Sequence, residues 1–368
     1  MKTTDANPLA GLGSVTVFGA GNIGSQLLPL TGRIPAIGHV IIVDHDTYEE
    51  KNLISQSITP ADVGQPKAIV QARRLREINP RLRVTPIVER LENAPLGALR
   101  ADVLLGCLDS RFSRRIASSM AWRLGVPYID AGVQADGMLA RIHVYRPDPA
   151  NACLECAWDH QDYLAEQDVI ACDGSKIASA PTNAPASLGA LAAAMQALEL
   201  EKIFADAWEH VPVGREILID AKSHRHFVTR LPRNPACRFD HRTFEVREFH
   251  GAPGALTLAD LFALGTGALR VEGQRFVRQW ACMACQTMRE VFGLRDRIAA
   301  AVQCPGCGNR MRAIGFHTFD SLSAADVPNG LLRAPISSHG IHGGDIFSVT
   351  SGTEEAHYEI IDPTIREL

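Results

Sequence analysis

The chain has 368 residues, of which 46% are hydrophobic and 21% charged, which excludes a fibre or a largely disordered chain. Its 37 Lys and Arg residues against 41 Asp and Glu residues give a formal net charge of −4, so no general basic field attracts nucleic acid or an anionic membrane. No signal peptide is readable at the start, and no apolar run approaches the ~18 residues of a membrane-spanning helix. We therefore expect a cytoplasmic protein with neither nucleic acid nor membrane as a partner.

Apolar runs and helical stretches alternate over the first 150 residues, which is typical of a parallel sheet with crossover helices. Alternation at 138–145 predicts an antiparallel strand at the edge of that sheet. We therefore expect an α/β fold with a Rossmann-like mixed sheet, a parallel core and an antiparallel extension. The predicted strands span 15–18, 40–43, 83–88, 103–106 and 128–130, and the helices between them span 24–30, 67–78 and 110–124.

Residues 153–185 are polar and without periodicity, which predicts a long crossing loop. A helix at 186–204 and strands near 216–220 and 226–231 follow, and the prolines at 232 and 235 mark the end of a first domain. The predicted domains are therefore 1–242 and a smaller C-terminal domain at 243–368.

A glycine-rich turn follows the first predicted strand in the run VTVFGAGNIG. It places Gly19, Gly21 and Gly24 where backbone N–H groups at the start of a helix hold phosphate. Asp44 follows Gly24 by twenty residues, at the end of the second strand, where a carboxylate can accept ribose hydroxyls. These residues predict a nucleotide site, and on their own they indicate a dinucleotide-binding Rossmann domain.

Two further segments are more specific, VDHDTYEEKNLISQSITPADVGQPKA and LLGCLDSRFSR. They resemble the ThiF/MoeB family and the adenylation domains of ubiquitin-activating enzymes. The family pattern is Asp-x-Asp, Asn-Leu-x-Arg-Gln, Asp-x-Gly-x-x-Lys and, after the fourth strand, Cys-x-Asp-Asn. The resemblance covers about residues 14–242. The matching residues are Asp44, Asp46, Asn52, Leu53, Gln56, Asp62, Gly64, Lys67 and Asp109.

The resemblance implies ATP-dependent adenylation of the C-terminal glycine of a ubiquitin-like or sulfur-carrier protein. Lys67 would hold phosphate, Asp109 would hold Mg²⁺, and Asp44 would hold the ribose, while Asn52 and Gln56 would fix the triphosphate. In this chemistry a carboxylate attacks the α-phosphate while Lys and Mg²⁺ neutralise the triphosphate. Taken singly, Lys67 could be an exposed helix lysine, Asp109 a helix N-cap and Asn52 a turn residue. The cofactor site that the resemblance implies is completed by Gly19, Gly21, Gly24 and Asp46.

Two departures from the family pattern keep other functions open. Ser55 stands where the family has arginine, and the N-terminal region lacks the family's Arg-bearing helix. The candidate substitutes are Arg73, Arg74, Arg111 and Arg114. The alternatives are a nucleotide-binding ThiF-like scaffold without adenylation activity and, third, an NAD-dependent dehydrogenase.

Six of the nine cysteines fall into three Cys-x-x-Cys pairs, a pattern that favours metal binding in a reducing compartment over disulfides. Eighteen residues separate the pair Cys282 and Cys285 from the pair Cys304 and Cys307, which is the spacing of a zinc ribbon. The C-terminal domain is therefore expected to contain a structural Zn²⁺ site with four thiolate ligands.

The family resemblance implies a second structural zinc site, in which Cys237 and His241 join Cys153 and Cys156 as a Cys₃His set. The alternative is a surface histidine, with the fourth ligand taken from elsewhere. Cys172 lies in the crossing loop, near where sulfur-carrier-activating members of the family place a cysteine. The resemblance thus implies that Cys172 accepts the acyl group as a thioester, with a loop cysteine that has no role as the alternative.

The partners implied are the carrier protein with its C-terminal glycine and, further on, a conjugating enzyme or a sulfur donor. Family members are generally homodimers, so a homodimer is expected. Near the C-terminus, the run SHGIHGGD carries His339 and His342, which we expect in an exposed turn rather than in a metal site.

Overall fold

The structure, a computed structural model, describes residues 12–166 and 184–364. Contacts among these residues separate two units. Unit 1 contains the described residues up to Leu91 together with Ala101–Thr243, and unit 2 contains Glu92–Arg100 together with the described residues from Phe244 onward. Within the described ranges, no helix is both long enough and apolar enough to cross a bilayer.

Unit 1 is a mixed α/β layer structure. Its strands and helices are, in chain order, β1 (Gly13–Phe18), α1 (Gly24–Thr31), β2 (Ile37–Val43), α2 (Lys67–Ile78), β3 (Arg83–Ile87), β4 (Val103–Gly106), α3 (Arg111–Leu124), β5 (Tyr128–Gln134), β6 (Leu139–Tyr145), α4 (His160–Glu166), α5 (Ala186–Phe204), β7 (Arg215–Asp220) and β8 (Arg225–Arg230).

In the described part of unit 1, these strands form one sheet in the order β3-β2-β1-β4-β5-β6-β7-β8. The strands from β3 to β5 in that order are parallel, and β6, β7 and β8 pair antiparallel. The predicted α/β class, with a parallel core and an antiparallel extension, is confirmed. Chain order changes direction between β1 and β4, and ligands of such sheets bind beyond the carboxyl ends of the strands at that point. We call this side of the sheet the carboxyl edge and the opposite side the amino edge.

The core of unit 1 lies between the sheet and its helices. Every residue of β4 is buried, as expected for a central parallel strand covered on both faces. In α5, Ala192 and Ala193 are fully buried, and such small side chains let this helix lie close to the sheet. Leu200 of the same helix is also fully buried, and a buried leucine of this kind stabilises the fold by ~1.5–3 kcal/mol.

Unit 2 contains two small sheets, with strand orders β10-β15-β16-β9 and β12-β11-β13, and β14 pairs with β11. A cluster of buried side chains, among them Leu258, Phe276 and Phe347, forms its main core. The elements are β9 (Val246–His250), α6 (Leu258–Phe262), β10 (Leu269–Val271), β11 (Phe276–Ala281), β12 (Met288–Leu294), α7 (Arg295–Ile298), β13 (Arg312–Ala313), β14 (Thr318–Phe319), α8 (Asn329–Leu332), β15 (Ile346–Ser351) and β16 (Glu354–Ile361).

The segment 92–100 differs from the sequence prediction, which assigned it to the first domain. It belongs to unit 2, where Arg297 donates a hydrogen bond to the Asn93 carbonyl at 3.0 Å. The same guanidinium pairs with Asp345 at 2.7 Å, and both side chains are at most 4% exposed. A buried ion pair of this kind is satisfied only when its remaining donors find acceptors, and the Asn93 carbonyl is one of them.

The expectation of an exposed turn is wrong for His339, which is 2% exposed. Its ring nitrogens lie 3.3 Å from the Phe292 carbonyl and 3.0 Å from the Leu331 carbonyl. His342 is exposed, as expected.

Candidate nucleotide site and metal centres

The glycine-rich turn after β1 shows why small residues are needed there. Gly19 has φ +90°, and a Cβ at this position would lie 2.6 Å from the Cys107 carbonyl oxygen. A Cβ at Gly24 would lie 1.9 Å from the Gly19 carbonyl oxygen. A Cβ at Gly21 meets no atom within 4 Å, so this part of the turn faces open space. Gly19 and Gly24 therefore permit close packing, whereas Gly21 leaves its backbone accessible to a ligand.

Asp44 fastens this turn to the end of β2. Its carboxylate accepts hydrogen bonds from the backbone N–H groups of Ala20 at 2.7 Å and Asp46 at 2.8 Å. Burial raises the pKa of Asp44, and Lys67 and the two backbone donors only partly offset this effect. Tyr48, which is 1% exposed, donates a hydrogen bond to the Ala20 carbonyl at 2.8 Å. Sequence analysis missed Tyr48, because no spacing or motif distinguishes it.

Lys67 is the first residue of α2 and is only 8% exposed. The exposed-lysine alternative is therefore wrong. The Lys67 Nζ lies 3.1 Å from an Asp46 carboxylate oxygen, and the Lys67 backbone N–H donates to the Asp46 carbonyl at 2.8 Å. Burial alone would raise the pKa of Asp46, but the Lys67 ammonium lowers it below its ordinary value. An ammonium held in this way can neutralise phosphate charge.

The Asn52 side chain stabilises the turn in which it lies. Its side-chain oxygen accepts a hydrogen bond from the Glu49 backbone N–H at 2.8 Å, within a reciprocal cap of a short 3-10 helix. The Gln56 Oε1 and the Asn22 Oδ1 are buried, and neither has a hydrogen-bond partner among the described residues. A buried oxygen without a donor costs ~1–3 kcal/mol.

Asp109 follows β4 at the carboxyl edge and is exposed. Its carboxylate makes no hydrogen bond or ion pair with any residue that the structure describes. The N-cap alternative is wrong, because Ser110 caps α3 by accepting a hydrogen bond from the Ser113 backbone N–H at 3.0 Å. An unpaired carboxylate oxygen at this edge fits Mg²⁺, which prefers hard oxygen ligands.

Arg114 holds the peptide that precedes Asp109. Its guanidinium, 9% exposed as a residue, pairs with Asp130 and donates to the Leu108 carbonyl at 2.5 Å. Asp130 also accepts a hydrogen bond from the Tyr128 hydroxyl at 3.0 Å. Arg114 is thus committed within the fold and does not replace the missing triphosphate contact.

The other candidate substitutes are also engaged. Arg73 and Arg74 both bind Asp62, which is 1% exposed, at 2.5 and 2.8 Å. Arg111 pairs with Asp162 at the start of α4. In the described ranges, the four arginines are therefore paired with three acidic residues, and Arg73 and Arg74 share one of them.

Replacing Asp62 by asparagine is expected to destabilise the protein at neutral pH by about 2–3 kcal/mol, since two guanidinium groups lose their shared carboxylate. Burial alone would raise the pKa of Asp62, but hydrogen bonds from Thr59 and the charges of Arg74 and Arg73 lower it. A carboxyl group with a lowered pKa contributes stability above its unfolded value of ~3.9 and loses it as the pH falls through the folded value. The difference in free energy of unfolding between wild type and Asp62→Asn should therefore shrink toward acid in urea titrations. A difference that stays constant with pH would contradict this assignment.

The first metal cluster joins residues on either side of the crossing loop. The sulfur atoms of Cys153 lie 3.9 Å from Cys156 and 3.7 Å from Cys237, and the Cys156 sulfur lies 3.3 Å from the His241 Nε2. Tetrahedral zinc with Zn–S bonds of ~2.3 Å places thiolates ~3.8 Å apart. The His241 Nδ1 lies 2.7 Å from the Phe239 carbonyl, and this contact directs the other ring nitrogen toward the cysteines. The structure thus brings the four predicted ligands together.

The second cluster lies in unit 2, where two turns face each other. The sulfur of Cys307 lies 3.5 Å from that of Cys282 and 3.6 Å from that of Cys285, and Cys285 lies 3.4 Å from Cys304. Four sulfurs at these distances can surround one zinc ion and leave no open position. Such a closed site fits a structural role and not a catalytic one.

Two cysteines lie outside the clusters. The Cys107 sulfur is 3.4 Å from the Gln196 Oε1, and burial raises the pKa of this thiol far above its ordinary value. Cys107 is therefore an inert core residue, in keeping with the sequence interpretation. Cys172 lies outside the described residues.

Comparison with known proteins places these features in context. Residues 10–239 match the model of the ThiF family. The chain is similar to the Sulfur carrier protein ThiS adenylyltransferase of Escherichia coli (strain K12), with 28% identity over 228 residues that cover 61% of this chain and 84% of that protein. It is also similar to the Adenylyltransferase and sulfurtransferase UBA4 of Yarrowia lipolytica, with 34% identity over 146 residues that cover 38% of this chain and 36% of that protein. This chain thus spans little more than a third of the UBA4 relative.

A solved structure of E. coli MccB with ATP has a TM-score of 0.50 and 25% sequence identity, and the match covers 63% of this chain and 68% of that chain. This share of the chain is about as large as the part that the family model matches, residues 10–239, and the family model does not extend to the C-terminal region.

Proposed function

This chain belongs to the ThiF family, and on that premise we propose that it adenylates the C-terminal glycine of a ubiquitin-like or sulfur-carrier protein with ATP. One observation carries the proposal. The buried Lys67 and the unpaired Asp109 lie at the carboxyl edge of the sheet, where the backbone of Gly21 is also accessible to a ligand. The names of the relatives, which are adenylyltransferases, support the same activity. They favour ATP over NAD as the nucleotide.

Each residue of the site has a separate role in the proposed reaction. The terminal carboxylate of the carrier attacks the α-phosphate, the bond to the β-phosphate breaks, and pyrophosphate leaves with its electron pair. Lys67 stabilises the negative charge on the phosphates, and Asp44 binds the ribose while it fastens the glycine-rich turn. Asp109 would hold Mg²⁺, which supplies charge neutralisation when bound. Gln56 and the backbone N–H groups of the turn complete the binding of the nucleotide.

Asp109→Asn is expected to reduce formation of the carrier adenylate by about 10²–10³-fold, since the carboxylate that would hold Mg²⁺ is lost. The fold should be unaffected because the Asp109 carboxylate has no partner among the described residues. Mass spectrometry of the carrier, which gains the mass of AMP in place of water, measures the product. Asp206→Asn, at an exposed residue beyond α5, is the matched control and should behave as wild type. Equal adenylate formation by both variants would contradict the role given to Asp109.

We further propose that Cys172 receives the acyl group. The Cys172 thiolate attacks the acyl-adenylate, a thioester forms, and AMP leaves. Cys172→Ala should then retain adenylate formation but lose the thiol-sensitive adduct with the carrier, seen on non-reducing gels. A carrier adduct that persists in Cys172→Ala would place the thioester elsewhere. Onward transfer to a conjugating enzyme or a sulfur donor is part of this proposal.

One observation favours a second function, a nucleotide-binding scaffold without chemistry. Ser55 replaces the family's arginine, and the four arginines considered as substitutes pair with Asp62, Asp130 and Asp162. The scaffold function predicts Mg-ATP binding without any carrier adenylate.

The proposal also includes zinc in both clusters, a homodimer and a cytoplasmic location. Sedimentation equilibrium tests the homodimer.

A further inference from the structure

A cavity of about 280 Å³ lies at the amino edge of the unit 1 sheet. Tyr128, at the start of β5, pairs with Tyr145 at the end of β6, and Val213 just before β7 bridges to Val144. These pairings place the beginning of β7 and the end of β8 at the amino edge. The cavity is therefore on the opposite side of the sheet from Lys67 and Asp109. Its lining includes three arginines, Arg215, Arg230 and Arg233.

Two of these arginines are held next to each other by the strand register. Arg215 pairs directly with Arg230 across β7 and β8, so both side chains project from the same face. Neither side chain has an ion-pair partner among the residues that the structure describes. The neighbouring Glu216 projects from the other face, where it lies 3.4 Å from His143 and 3.8 Å from Arg141. Like charges directly opposite each other on two strands repel, and both side chains are exposed, so an anion from solution can reach them.

The third arginine adds an unsatisfied donor. Arg233 donates to the Asn234 carbonyl at 2.6 Å and lies 3.6 Å from the Cys156 sulfur. Its Nε is buried and has no acceptor among the described residues. Arg233 lines the cavity and so adds a third positive charge to it.

We propose that this arginine pocket (Arg215, Arg230 and Arg233) binds a phosphate-type oxyanion. Guanidinium groups match the oxygen geometry of phosphate and donate two hydrogen bonds at once. Three positive charges around one cavity favour a dianion over a monovalent carboxylate. The cavity lies just below the ~300–1,000 Å³ of ordinary small-molecule pockets, so it suits a free phosphate ion or one phosphate group of a larger molecule. The pocket is separate from the ATP site, and the proposal does not depend on adenylation.

Calorimetric titration of the full-length protein with inorganic phosphate at low ionic strength tests this proposal. Arg215→Gln and Arg230→Gln should each weaken phosphate binding by about tenfold or more, the loss expected for one charged hydrogen-bond donor. Arg225→Gln, at the other end of β8, should bind phosphate as the wild type does. Thermal melting checks that each variant is folded. A sugar phosphate forms a second arm, which distinguishes a phosphate group on a larger molecule from the free ion.

Three results would overturn the proposal. The first is a wild-type protein that does not bind phosphate. The second is phosphate binding that survives unchanged in both Arg215→Gln and Arg230→Gln, which would assign it to another site. The third is tighter binding of acetate or a glutamate-rich peptide than of phosphate, which would identify the pocket as a carboxylate site.

Discussion

Lys67→Ala should lower carrier-dependent ATP–pyrophosphate exchange by about 10²–10³-fold or more, the loss seen when one charge-stabilising group is removed from an active site. The expectation rests on the position of this lysine, which is 8% exposed and held 3.1 Å from Asp46. The helix start and the hydrogen bond to the Asp46 carbonyl fix its backbone. The variant should fold, because the Asp46 side chain that loses its partner is 52% exposed and remains solvated.

Lys51→Ala is the matched control for this experiment. The Lys51 side chain is 64% exposed and pairs with Glu49 at 2.8 Å, so its removal deletes an equal charge from the same loop without touching the buried site. Its exchange rate should remain within about twofold of wild type, since exposed ion pairs contribute ~0–1 kcal/mol. Equal rates for Lys67→Ala and wild type, in protein that melts normally, would show that Lys67 takes no part in the chemistry.

Cys304→Ser should unfold the part of unit 2 that contains the second cysteine cluster with β11, β12 and β13, here called the ribbon region, and remove one zinc ion from the protein. Metal analysis of the wild type should give two zinc ions per chain, and this variant should give one. Cys282 and Cys304 are buried beside Trp280, in an apolar cluster separate from the main core of unit 2. Structural zinc binding is worth ~10–16 kcal/mol in zinc-finger peptides, which matches or exceeds the ~5–15 kcal/mol that stabilises a whole domain. Limited proteolysis should then cut the ribbon region of Cys304→Ser and leave unit 1 intact.

Cys107→Ser is the matched control for Cys304→Ser, because it removes a cysteine that lies outside both clusters. The Cys107 sulfur lies 3.4 Å from the Gln196 Oε1, and a serine hydroxyl can donate to the same oxygen. This variant should retain two zinc ions and resist proteolysis. Cys153→Ser should retain one zinc ion, that of unit 2. Wild-type protein without zinc, or Cys304→Ser with two zinc ions, would contradict the assignment of the clusters.

The elements of unit 1 were predictable because their signals are local. Helix α2 begins after Pro66 as predicted, and α3 ends at Gly125, which has φ +71° and so takes the left-handed conformation that ends many helices. The glycine-rich turn and the paired cysteines are also short patterns with fixed spacing. In the same way, the resemblance placed Asp109 directly after the fourth strand, and the structure has it after β4 at the carboxyl edge.

The features that sequence analysis missed depend on partners distant in the chain. Arg114 is engaged by Asp130, a residue sixteen positions away on another element, and nothing in the local pattern distinguishes it from a surface arginine. His339 is buried where β12 supplies the Phe292 carbonyl and α8 supplies the Leu331 carbonyl. The segment 92–100 belongs to unit 2 through Arg297, about two hundred residues later. Contacts between residues this far apart in the chain depend on the packing of the whole unit, and the spacing of residues in the sequence does not predict them.

The central claim is that this ThiF-family chain forms an acyl-adenylate on a carrier protein, and ATP–pyrophosphate exchange by the wild-type protein tests it most directly. A panel of β-grasp proteins that end in two glycines supplies the candidate carriers. We predict that label passes from pyrophosphate into ATP only when the correct carrier is present, and that deletion of the carrier's terminal glycine abolishes exchange. Saturable Mg-ATP binding without exchange for any carrier in the panel would contradict the claim and favour the scaffold function.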